Sequence, residues 1–192
     1  MYVIIGKTAS GKDAVVRRLA ERYGFKKVVT YTTRPPRDGE KDGVTYHFVS
    51  QDEFVRKLKA GFFLETKSYP SVAGNWYYGT AREDLTGKGS EKSVVILTPE
   101  GYNDVCARIT PRPRCVYLYA DTDTITKRLR ARGDMPAEAE RRIKSDAHLF
   151  RNAHSLADRI VYNNDGANID EVVVEIARLF ADWEKEGGKK NA

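Results

Sequence analysis

The chain has 192 residues, 41% hydrophobic and 31% charged, with a formal net charge of +6. That length suits one domain with a substantial core, in an ordinary soluble composition. No apolar run reaches the length of a membrane span, and the first segment lacks both a basic and a long apolar stretch. Neither a transmembrane helix nor a secretory signal is therefore expected.

Two cysteines, Cys106 and Cys115, give no disulfide framework, so a reducing cytoplasmic setting is expected. His47, His148 and His154 show no metal-ligand spacing with them, which argues against a zinc site. The positive charge favours phosphate-bearing ligands. Because the arginines gather at Arg34 and Arg37 and again between Arg128 and Arg151, with no stacking-aromatic module, a small phosphorylated ligand is expected rather than nucleic acid.

In chain order, a strand is predicted at 2–5, where Tyr2-Val3-Ile4-Ile5 is wholly apolar. Directly after it comes Gly6-Lys7-Thr8-Ala9-Ser10-Gly11-Lys12-Asp13, then an amphipathic helix predicted over 13–23. Strand, glycine-spaced loop and helix form a phosphate-binding P-loop: the glycines let backbone N–H groups converge on a polyphosphate at the positive end of a helix, and Lys12 adds a point charge. A strand follows at 26–31. Residues 32–80, rich in Tyr, Gly and Pro, are predicted to be a small β-containing insertion carrying a helix at 51–60, with Ser50 and Glu53 forming a capping box. Strands at 93–98, 115–120 and 159–162 alternate with helices at 100–109, 122–132, 136–154 and 168–185. The alternation predicts an α/β fold, a parallel sheet covered by helices with ligands at the carboxyl ends of its strands. The arginine-rich excursion at 130–150 is predicted to carry Glu138/Arg142 and Glu140/Lys144 pairs at i,i+4, and the tail from Glu186 is expected to fray.

The segment Thr32-Thr33-Arg34-Pro35-Pro36-Arg37-Asp38-Gly39-Glu40 through Val44-Thr45-Tyr46-His47-Phe48 resembles the guanylate kinase motif: two arginines three apart, an acid, a glycine, then Tyr-x-Phe. Phe63-Leu64-Glu65, Gly74-Asn75-Trp76-Tyr77-Tyr78-Gly79-Thr80, Arg132-Gly133 and Asn163 resemble further segments of that family, so the likeness spans residues 2–165. It implies a three-layer P-loop core (1–31, 81–129 and 151–186), a nucleoside-monophosphate-binding insertion (32–80) and a helical lid (130–150) within one domain, 1–192. It also implies Mg²⁺-dependent transfer of a phosphoryl group from ATP to GMP or dGMP, with no protein partner. ATP would be held by residues 6–13, including Ser10 and Gly11, and by Asn163. Arg34, Arg37, Tyr46 and Tyr78 would hold the GMP phosphate, where guanidinium forks match phosphate oxygens. Glu65 would accept from the two adjacent guanine donors, with Thr30 and Thr80 reaching the guanine carbonyl oxygen. Arg132 and Arg142 would close over the transferring group, joining Lys12 and Arg37 as the catalytic set.

The sequence departs from the pattern in two places. Asp13 stands where P-loops carry a Ser or Thr hydroxyl for Mg²⁺, and is expected either to join the Mg²⁺ shell itself or to cap the helix. Ile96 and Thr98 stand where typical family members carry aspartates that help bind the guanine amine. Because Asp after the loop lysine also occurs in ribose bisphosphate kinases resembling this family, a phosphosugar acceptor is the alternative. A non-catalytic guanylate-kinase-like protein-binding module is a third reading, opposed by the presence of Lys12, Arg37, Arg132 and Arg142.

Overall fold

The first strand, β1 (Tyr2–Ile5), is apolar at every position because both its faces are covered. In the computed structural model, which describes residues 1–71 and 74–188, β1 is the middle of five parallel strands. On one side lie β7 (Ser93–Ile96) and then β2 (Lys26–Lys27); on the other lie β8 (Arg114–Tyr119) and then β9 (Arg159–Tyr162). Alternation along β1 divides the core. Tyr2 and Ile4 join Val15, Val16 and Leu19 of helix α1 (Lys12–Tyr23) and Val173, Ile176 and Phe180 of helix α8 (Ile169–Gly188). Val3 and Ile5 join Tyr102 and Val105 of helix α4 (Pro99–Cys106) on the opposite face. Each such fully buried aliphatic side chain contributes about 1.5–3 kcal/mol. Tyr2 also stacks on Phe180, with ring centroids 3.9 Å apart.

A second sheet has the order β4 (His47–Phe48), β3 (Tyr31–Thr32), β6 (Gly74–Ala81), β5 (Phe63–Ser71). β5 and β6 form a long antiparallel hairpin, and helix α2 (Gln51–Lys59) seats Phe54 on Phe63 at 4.5 Å. Ser50 caps that helix as expected, its Oγ accepting from the Glu53 N–H at 3.1 Å. The strand expected at 26–31 is two strands in two sheets. Val28 N–H donates to Val94 of β7, after which the chain crosses so that Tyr31 pairs with Gly79 and His47. Alternation reports an extended backbone and cannot say which partner it has.

Helices α5 (Thr122–Ala131) and α6 (Pro136–Leu149) pack on each other through Ile125, Leu129, Ala139 and Ile143. The helix expected over 136–154 breaks after Leu149, because Phe150 turns inward against Tyr117; a short helix, α7 (Ala153–Leu156), follows the turn. A short helix, α3 (Arg82–Thr86), follows β6 and was not expected. At the C-terminus α8 stays helical through Gly188, so the fraying expected from Glu186 does not begin there; Lys189 and Lys190 lie outside the described residues. No helix among the described residues is long and apolar enough to cross a membrane. Cys106 and Cys115 are both free. Residues 6–13 follow β1, Thr98 follows β7 and Asn163 follows β9, so candidate ligand groups gather at the carboxyl edge of the parallel sheet.

Candidate active site

The loop between β1 and α1 turns back on itself at Gly11, in the left-handed region with φ 98°. A side chain there would be strained, and its Cβ would meet Asn163 Nδ2 at 2.5 Å. Asn163 uses that proximity: its Nδ2 donates to the Ser10 carbonyl at 2.8 Å, and its backbone N–H to the Tyr119 carbonyl at 2.8 Å. Asn163 is buried and braces the loop against the sheet. Lys12 Nζ donates to the Gly6 and Lys7 carbonyls, both at 2.7 Å, and burial pushes its pKa down against the pull of Asp13 and Asp146. Ser10 Oγ is sealed off without a partner among the described residues.

Two contacts here were missed from sequence. Asp146 of α6 accepts from the Thr8 N–H at 2.5 Å, bringing a carboxylate to the loop. Arg128, at the start of the arginine-rich stretch, reaches the Ala9 carbonyl at 3.3 Å. Neither is signalled by local spacing, since both depend on how α5 and α6 lie over the loop.

Asp13 is exposed in the first turn of α1, where its charge suits the helix N-terminus, while the N-cap position itself is Gly11 and no side chain caps it by a hydrogen bond. Its carboxylate has no hydrogen-bond or ion-pair partner among the described residues, and its charged neighbours include Lys12 and Arg132. An unpaired oxygen ligand beside a phosphate loop fits a hard divalent cation. No cluster of three or more His, Cys, Asp or Glu among the described residues could hold a metal by itself.

Facing the loop is a group of arginines. Arg34 is buried; its Nη2 donates to both Glu40 oxygens at 2.8 and 2.9 Å, and its guanidinium lies 5.4 Å from the centre of the Tyr46 ring. Glu40 also accepts from the Arg37 backbone N–H at 2.8 Å, so one carboxylate ties the Arg34 guanidinium to the Arg37 backbone. Burial lowers the Arg37 pKa, as do the charges of Arg34, Arg142 and Arg132. Arg132 Nε donates to Asp134 at 2.8 Å, and Arg142 donates to Glu138 at 2.7 Å and to Asp134 at 3.2 Å. The expected pairs Glu138/Arg142 and Glu140/Lys144 are both formed. Arg141, with Arg142, pulls the Glu138 pKa down to about 2.

The remaining acceptor candidates line the second sheet. Tyr78 of β6 packs edge-on against Tyr46, 6.0 Å between centroids. Glu65 is buried on β5; it accepts from Thr80 Oγ1 at 2.5 Å, and burial raises its pKa. Thr30 is half-buried just before β3, its carbonyl accepting from the His47 N–H at 2.9 Å. Thr98 caps α4, accepting from the Gly101 N–H at 3.1 Å.

A glycine-spaced anion loop on a parallel sheet, opposed by an arginine group, is the layout of a P-loop nucleotide kinase. The guanylate kinase family model matches residues 1–182. The chain is 36% identical over 169 residues to a guanylate kinase of Frankia casuarinae, covering 86% of this chain and 89% of that one. It is 32% identical over 168 residues to one of Fusobacterium nucleatum, covering 86% and 88%. The guanylate kinase structure of Anaplasma phagocytophilum shares the fold with a TM-score of 0.69 at 23% identity, over 94% of this chain and 85% of that one. The chain belongs to the guanylate kinase family.

Proposed function

We propose that the chain performs its family's reaction, ATP-dependent phosphorylation of GMP to GDP, through the residues placed above. The observation that carries the assignment is the opposition of the Lys12 loop to the Arg37–Arg132–Arg142 group, with the Glu65–Thr80 pair on the adjoining sheet. Lys12, the amides of residues 6–13 and Asn163 hold ATP. Arg34, Arg37, Tyr46 and Tyr78 hold the acceptor phosphate, and Arg132 and Arg142 turn from Asp134 and Glu138 to the transferring phosphoryl oxygens. Positioning and charge stabilisation supply the catalysis, without a covalent intermediate. Glu65, Thr80 and Thr30 read guanine; adenine would leave those buried groups unpaired. dGMP is accepted as well, since none of these contacts reads the 2′-hydroxyl. Residues 32–80 act as the acceptor-binding insertion and 130–150 as a lid, both closing on the core of 1–31, 81–129 and 151–186. A coupled assay of ADP release with GMP, AMP, UMP and ribose 1,5-bisphosphate tests the reading: turnover is expected with GMP, and turnover of the phosphosugar alone would overturn it.

Asp13 is the side chain that would hold a bound Mg²⁺, whose charge would offset that of the phosphates. Asp13→Ala is expected to raise the Mg²⁺ concentration needed for half-maximal rate while leaving the KM for GMP unchanged. Asp13→Ser, restoring the usual hydroxyl, is expected to recover most of that loss. Mg²⁺ titrations of the rate check both, and an unshifted Asp13→Ala titration removes Asp13 from the metal shell.

A further inference from the structure

Tyr69 took no part in the motif, yet its side chain stands beside the acceptor residues. Successive odd positions of β5 share a face, so Glu65, Lys67 and Tyr69 point the same way. What they face is the start of α4: Lys67 pairs with Asp104 at 2.8 Å, and Glu65 lies over Gly101. A Cβ on Gly101 would sit 3.2 Å from Glu65 Oε2 and 3.3 Å from Thr98 Oγ1, so the missing side chain lets both oxygens gather at one point. The Tyr69 ring packs edge-on against Tyr78 at 5.6 Å, and Tyr78 in turn against Tyr46 at 6.0 Å. Three tyrosines thus run from the arginine-held phosphate end to the Glu65 end.

The hydroxyl at the inner end of this row is the anomaly. It is sealed from solvent and lies against Thr98 without closing a full hydrogen bond among the described residues, with Glu100, Glu65 and Tyr78 as further neighbours. A buried hydroxyl left without a partner is costly and uncommon. Burial pushes its pKa up to about 12, so at neutral pH it keeps its proton and can both donate and accept.

Guanine presents three N–H bonds along one edge: the ring N1–H and two on the exocyclic amine. One carboxylate can take N1–H and one amine hydrogen, which leaves the other amine hydrogen without an acceptor. Thr98 supplies no carboxylate for it.

We propose that Tyr69 is a specificity-determining residue whose hydroxyl accepts the second hydrogen of the guanine 2-amino group and donates its own proton to Thr98 Oγ1. This rests on GMP being the acceptor. Thr98 Oγ1 already accepts from Gly101 and has a second lone pair to receive the tyrosine proton. The hydroxyl that is unpartnered in the free protein is satisfied on both sides when the base arrives.

The test compares GMP with IMP, which differs only in lacking the 2-amino group, for the wild type and Tyr69→Phe. Phe keeps the ring contacts, so Tyr69→Phe is expected to lower kcat/KM for GMP about tenfold, as one hydrogen bond allows, while IMP changes less than twofold. The KM for ATP should stay fixed, and calorimetric GMP and IMP affinities should show the same split. Equal losses for GMP and IMP would mean that Tyr69 only packs, and no loss for either would remove it from the pocket; each result overturns the proposal. A wild type that turns over neither nucleotide overturns the GMP reading itself, a failure visible before any variant is made.

Discussion

Replacing Lys12 with Met is expected to lower kcat by about 10²–10³-fold, as removal of a preorganised charge-stabilising donor does, while GMP binding to the free enzyme is unchanged. Lys12 Nζ is tied to the Gly6 and Lys7 carbonyls in the free protein, so the ammonium is already held at the loop before any phosphate arrives. Met has similar length and no charge, and it leaves those two carbonyls without their donor. The fold should survive, because α1 is anchored by Val15, Val16 and Leu19, which point away from the loop into the core. Single-turnover kinetics at saturating ATP measure the chemical step, and calorimetry with GMP alone measures the acceptor site. A kcat within tenfold of the wild type would remove Lys12 from the catalytic set.

Replacing Glu65 with Gln is expected to separate activity from stability. The amide still accepts from Thr80 through its oxygen, but its NH₂ confronts a guanine N–H, so one charge-assisted bond is lost. Such a bond is worth roughly 1.5–3 kcal/mol, or about one to two decades in kcat/KM for GMP. Burial raises the Glu65 pKa above its ordinary value of 4.5. The carboxylate must be ionised to accept both donors, so GMP efficiency should fall as pH drops through that raised value, and Gln should flatten this acid limb. Stability runs the other way. A carboxyl with a raised folded pKa contributes its stability fully below the unfolded pKa and loses it as pH rises through the folded one. Gln, never charged, should therefore melt at a higher temperature than wild type at pH 7, with the gap closing toward pH 4. Equal GMP efficiency in the two proteins would exclude Glu65 from the base site.

How much of this was legible in the sequence depended on whether the information was local. The P-loop was, because glycine spacing, a preceding apolar strand and a following helix are all encoded within residues 2–23. The Ser50–Glu53 cap was legible for the same reason. The strand at 26–31 was only half legible: its extended conformation is local, but its division between two sheets is decided by Val94, Gly79 and His47, far away in the chain. The break after Leu149 escaped because Phe150 fits a helical pattern and turns inward only against Tyr117. The carboxylates that hold the arginines divide in the same way. Glu138 could be paired with Arg142 by counting four residues, whereas the contact of Asp134 with both Arg132 and Arg142 depends on the turn between α5 and α6. Tyr69 was passed over because a tyrosine in a hairpin strand is unremarkable until its hydroxyl is found buried and alone.

Asp134 accepts from both Arg132 and Arg142 in the free protein. Its carboxylate offsets the charge of the two guanidiniums, and a phosphoryl group held by them as proposed would trade places with it. The exchange also works in reverse. If Arg132 and Arg142 close on the product phosphates as proposed, Asp134 would compete for both and favour release. An acid that competes with the phosphoryl group before transfer would then compete with the product after it.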